Sequence, residues 1–204
     1  MQQDILHLPG YRVNEYQLVL VPHEELRTRI MKTKEQFAGK FSTIFNPYSR
    51  AYLPLVYFTQ YQLMEERIMN RLKIVAMAQY PFKVELRDFG SFPSHTIFIN
   101  VPTKLPVQEL VKQVRQDTQR LMKFDEEHKP HFLTEPHISI GSRLKPWQYE
   151  KGWLEYSHSH FSGKFIADSM LLLKKPAGDT RFRPVAKFSF QNLPVTTRQG
   201  ELFG

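Results

Sequence analysis

The chain has 204 residues, 41% hydrophobic and 13% aromatic, which suits one or two globular lobes with a real core. Its 28 Lys+Arg against 20 Asp+Glu give a formal charge of +8 and a pI near 9.6, a surplus that favours polyanionic or phosphorylated partners. No stretch approaches the roughly 20 apolar residues that span a bilayer, and zero cysteines exclude disulfides, thiol nucleophiles and thiolate metal sites.

In chain order, MQQDILHLPG lacks the pattern of a signal peptide, so a cytoplasmic location is expected. YQLVLVP (16–22) reads as a strand stopped by Pro22. The next stretch places Leu26, Ile30 and Phe37 at near-helical spacing, with Gly39 as a plausible stop. FSTIFNPYSR (41–50) reads as a loop and AYLPLVYF (51–58) as a strand. Met64, Ile68, Leu72 and Val75 mark an amphipathic helix within 62–78, and PFKVELRDFGSF (81–92) another strand.

The pattern then starts again. HTIFINVP (95–102) is a strand ending in Val-Pro like the first. Leu110, Val111, Val114 and Leu121 share one helical face within 106–124, a polar loop covers 125–135, and PHISIGSRL (136–144) is a strand. A short helix over 145–156 and closing strands within 163–175 and 181–193 follow; residues 193–204 read as a loose tail. The chain is therefore expected to be a single α+β domain of two related lobes, about 14–92 and about 93–192, built from small antiparallel sheets with outer helices around a central cleft.

Within PHISIGSRL, His137 and Ser139 are two residues apart and face one way, while Ile138 and Ile140 face the other. Arg143 has the same strand parity, and Lys145 follows. His95 is followed by Thr96, so the two point to opposite sides, and it reads as a strand-edge residue. His128 and His131 fall in the polar loop. His158 and His160 have HxH spacing without a supporting carboxylate or cysteine cluster, so no metal site is expected.

A strand–helix duplication carrying His, an apolar residue and Ser/Thr on one strand resembles the two-histidine (2H) phosphoesterase superfamily, which includes 2′-5′ RNA ligase-like proteins and cyclic phosphodiesterases. The resemblance spans about residues 14–190 in order of elements, and in sequence is specific only at Pro136, His137, Ile138, Ser139 and Ile140. It implies one His-Φ-Ser/Thr-Φ motif (Φ apolar) per lobe. With the Val-Pro strand ends in register, Tyr52 stands where the first histidine belongs and Pro54 where the first Ser/Thr belongs, so that motif is degenerate.

The resemblance implies a metal- and cofactor-independent reaction at 2′,3′-cyclic phosphate ends or 2′-5′ linkages, with histidines as general acid and base. It implies His137, Ser139 and Tyr52 at the reacting centre, and RNA or a small cyclic or phosphorylated nucleotide as partner. Arg143, Arg50, Tyr57 and Lys145 are the expected phosphate or RNA contacts. Turnover would be weakened or altered, since a phenol with a pKa around 10 makes a poor base. The alternative is a non-catalytic phosphate- or RNA-binding protein that keeps the fold. A monomer is expected.

Overall fold

A computed structural model describes residues 10–44 and 51–193. The predicted tail at 194–204, most of the loop expected over 41–50, and Arg50 lie outside the described residues. The fold is α+β: the described residues form four helices and ten strands in three antiparallel sheets, of five strands (β10-β9-β1-β2-β6), three (β4-β5-β7) and two (β3-β8).

β1 (Val13–Leu20) alternates, sending Tyr16, Leu18 and Leu20 into the core. In α1 (Glu24–Phe41), His23 caps the start, its Nδ1 accepting from the Leu26 N–H, and Glu24 and Glu25 complement the positive end of the helix dipole. The helix runs through Gly39, the expected stop, because Phe41 still has core to bury; it ends at Ser42 in the left-handed conformation (φ 51°). β2 (Leu53–Tyr61) pairs with β1, and α2 (Glu65–Ala78) follows after a 3₁₀ turn.

Two expected strands are each divided between sheets. Residues 81–92 form β3 (Phe82–Arg87) and β4 (Phe89–Phe92), parted at Asp88, which takes φ 54°. Residues 162–176 form β8 (Ser162–Ala167) and β9 (Ser169–Pro176) around Asp168. β5 (Thr96–Asn100) and α3 (Lys104–Met122) follow expectation, the helix starting before Pro106, which a first turn tolerates. Strand β6 (His131–Phe132) lies inside the expected loop and pairs with β2. β7 (His137–Ser142), α4 (Pro146–Tyr156) and β10 (Arg183–Ser189) complete the chain.

The sheets draw on both halves of the sequence: β6, β9 and β10 join β1 and β2, and β3 pairs with β8. One large apolar core runs beneath all of it. Phe37 of α1 is fully buried in that core, and two glycines make room for it. An added Cβ at Gly141 of β7 would lie 2.3 Å from Phe37 Cε1, and one at Gly152 of α4 would lie 3.0 Å from Phe37 Cε2. Tyr156 packs edge-on against the same ring at 5.3 Å. A ring held on several sides has nowhere to go. We expect Gly141→Ala to lower stability by about 1–3 kcal/mol through overpacking, measured by urea unfolding; an unchanged midpoint would mean that the contact is slack.

Candidate functional site

β7 carries His137 and Ser139. Its core-facing Ile138 is 1% exposed, while His137 and Ser139 are half-buried on the opposite face and line a cleft of about 1130 Å³. The β5–β7 ladder shifts register between Ile97 and Phe98, so Phe98 stands opposite Ser139 and Ile97 opposite Gly141, with Ile140 as the extra residue. That irregularity turns Gly141 onto Phe37 and ends the simple parity. Arg143 reaches the cleft through its own left-handed backbone (φ 54°) beyond the end of β7, not by the strand alternation expected for it.

The strand on the facing sheet is β2, which Tyr52 immediately precedes. Tyr52 and Pro54 line the same cleft, and Tyr52 is buried in a small cluster with Val19 and Leu173. Here too the ladder is irregular: Leu18 faces Val56 while Val19 faces Pro54, leaving Leu55 unpaired in the core. The shift brings Tyr57, rather than residue 56, to the cleft face. Tyr57 stands opposite Gln17, and burial pushes its phenol above the usual value, so at neutral pH it is a hydrogen-bond donor. Lys145 also lines the cleft, as do Trp147, Lys175, Thr180 and Phe182. Lys175 is also paired with Glu15 at 2.8 Å, and the neighbouring Lys174 pairs with Glu65 at 2.8 Å and Arg183 with Asp179 at 2.9 Å.

Two cleft residues escaped the sequence reading. His131 pairs with Tyr57 across β6 and β2; a two-residue strand is too short to show a period. Its partner Tyr57 lies five positions beyond Tyr52, roughly 16 Å at about 3.3 Å per residue, so His131 stands well away from Tyr52 along the strand. Lys34 sits on the buried face of α1 between Ile30 and Ala38, and it lines the cleft. An ionisable residue one turn from each apolar neighbour was the available signal. His95 lies outside the cleft lining, its Nδ1 2.8 Å from Thr96 Oγ1.

The charge distribution is one-sided. Lys34, Arg143, Lys145 and Lys175 line the cleft together with His131 and His137, and no carboxylate does so among the described residues. His137 is anchored through Nδ1, 2.7 Å from the Glu135 carbonyl oxygen. A carbonyl only accepts, so Nδ1 carries the proton and Nε2 keeps its lone pair. Burial lowers the His137 pKa from its usual 6.5, and the Glu135 carbonyl and charge oppose this only in part. The imidazole is therefore neutral at pH 7, ready to accept a proton.

The two buried bases make testable predictions. The His137 titration midpoint in an NMR pH series is expected below 6.5; a midpoint at or above that value would mean that burial does not outweigh the opposing Glu135 carbonyl and charge. Burial lowers the Lys34 pKa from 10.5 to about 8. A lowered folded-state pKa disfavours the protonated fold, so the penalty is full below pH 8 and fades as pH rises towards 10.5. The stability of Lys34→Met relative to the parent is thus expected to fall by up to about 3 kcal/mol between pH 7 and pH 10. Urea unfolding at both pH values measures it, and a constant difference would contradict it.

The same architecture occurs in solved structures. E. coli LigT complexed with 3′-AMP superimposes with a TM-score of 0.60 at 14% identity, covering 87% of this chain and 98% of that one. TT0787 of Thermus thermophilus gives 0.62 at 17% identity, also covering 87% and 98%. LigT complexed with NADP+ gives 0.57 at 14%, covering 88% and 99%. No curated protein matches by sequence. The family model described as the 2′-5′ RNA ligase superfamily matches residues 22–179, most of the chain. The chain therefore belongs to the 2′-5′ RNA ligase superfamily.

Proposed function

We propose that the cleft binds a cyclic or terminal phosphate of an RNA end or small nucleotide, and that His137 acts on it as general base. One observation carries this reading: His137 and Ser139 stand side by side in a cleft lined by Lys34, Arg143 and Lys145, by Lys175 in its pair with Glu15, and by no described carboxylate. Guanidinium and ammonium groups in such a wall favour a phosphate over a neutral ligand. That structures of LigT hold 3′-AMP, ATP or phosphate supports the same ligand chemistry.

For a 2′,3′-cyclic phosphate the step balances as follows. Nε2 of His137 takes a proton from water as the water oxygen bonds to phosphorus, and the bond from phosphorus to one ribose oxygen breaks. The Ser139 hydroxyl donates to a non-bridging oxygen, and Arg143 and Lys145 offset the charge. The leaving ribose oxygen needs a proton, which a second histidine would supply. Here Tyr52 and Pro54 occupy that side. Tyr52 offers a hydrogen bond to a phosphate oxygen, Pro54 has neither hydroxyl nor N–H to give, and solvent protonates the leaving group. Turnover is consequently slow, because one missing acid–base partner costs on the order of 10²- to 10⁴-fold.

The occupation of the first motif by Tyr52 and Pro54 favours one second reading, a phosphate reader that has lost the reaction. Ring opening of nucleoside 2′,3′-cyclic phosphates, with binding followed in parallel, separates the two. Slow turnover that falls a further 10²-fold or more in His137→Ala is the expected result. Binding without turnover would establish the reader. Turnover untouched by His137→Ala would overturn the assignment.

A further inference from the structure

The cleft face of the three-stranded sheet continues beyond the motif. Across the β5–β7 ladder Asn100 is the partner of His137 and Phe98 the partner of Ser139, so these four side chains share one face. A second cavity of about 340 Å³ lies against Asn100, Phe98 and His137, and His137 lines both cavities. Phe92 of β4 packs 4.7 Å from Phe98 and 5.0 Å from the His137 ring, centroid to centroid. Asn100 and Phe98 reach this position only because the neighbouring residue is Gly90. A Cβ there would fall 2.4 Å from Asn100 Oδ1 and 2.7 Å from Phe98 Cε2.

The polar groups around this cavity sort into committed and uncommitted. Glu135 is held by Lys104 at 2.9 Å. Asp88 accepts from the Phe161 N–H at 3.3 Å and lies 3.2 Å from His160 Nδ1. The side-chain amide of Asn100, by contrast, has no hydrogen-bond partner among the described residues, although it borders the cavity. An amide edge offering a donor and an acceptor, beside aromatic rings and next to a phosphate-handling histidine, has a matching ligand class.

We propose that this second cavity is a nucleobase subsite. The base stacks on the Phe92 side of the cavity and pairs its donor–acceptor edge with the Asn100 amide. His137, shared by the two cavities, marks where the attached ribose phosphate enters the main cleft. The proposal rests on the reading of that cleft as a phosphate site, and it makes the substrate a nucleotide rather than a bare phosphoester.

Calorimetric titration of inorganic phosphate and of 2′-AMP into the wild type, Asn100→Ala and Phe92→Ala tests it. The wild type is expected to bind 2′-AMP at least about tenfold more tightly than phosphate. Either substitution removes most of that advantage, and Asn100→Ala leaves phosphate binding unchanged. Equal binding of the two ligands by the wild type, or a full advantage in both variants, overturns the subsite while leaving the phosphate reading intact. If neither phosphate nor 2′-AMP binds, the phosphate reading itself fails. Adenosine alone then decides: a shift of the Asn100 side-chain amide resonance supports a base subsite, and no shift rejects it.

Discussion

One phenyl ring fixes where the motif strand stands. Phe37 fills the space left by the missing side chains of Gly141 and Gly152, and thereby locks α1, β7 and α4 into one block. Interiors are close-packed, so a ring with atoms on several sides transmits position rather than absorbing it. The consequence reaches the chemistry directly. His137 and Ser139 lie on the same short strand as Gly141, and their distance from the facing sheet depends on how closely that strand approaches the helix.

Register irregularities complete the positioning, one in each motif-bearing ladder. In β2 the unpaired Leu55 lets Tyr52, Pro54 and Tyr57 share the cleft face while Leu53, Leu55 and Val56 stay in the core. In β7 the extra Ile140 keeps His137 and Ser139 out and turns Gly141 in. Bulges are a common way to re-aim side chains beside a site. The result is a basic cleft with His137 and Ser139 on one wall and Tyr52 and Pro54 on the other. Its cationic lining favours anions, and its imidazole with a free Nε2 lone pair stands on the β7 side.

Much of this was legible in the residues. The periodicities of Leu26, Ile30 and Phe37, and of Leu110, Val111 and Val114, were strong enough to give α1 and α3, and the repeated Val-Pro strand ends gave the order of elements. The cleft positions of His137, Ser139 and Tyr52 followed from motif spacing and register, whereas Arg143 arrives there by a left-handed backbone and Tyr57 by a register shift that no spacing announces. What the pattern could not carry was local and short. Asp88 and Asp168 break strands that read as continuous, because a change of sheet leaves hydrophobic alternation intact on either side. The two-residue β6, and with it His131, has no period to detect. Gly39 read as a stop because a glycine's local preference says nothing of the burial waiting for Phe41. Lys34 was hidden by its own helix, where a lysine is ordinary until packing shows which face it occupies.

Co-crystallisation with a nucleoside 2′-phosphate tests the central claim most directly. The expected result is a phosphate between the two sheets, within hydrogen-bond reach of His137 Nε2 and Ser139 Oγ and facing Tyr52. A phosphate seated elsewhere on the basic surface, with the His137–Ser139 face of β7 left unengaged, would contradict it.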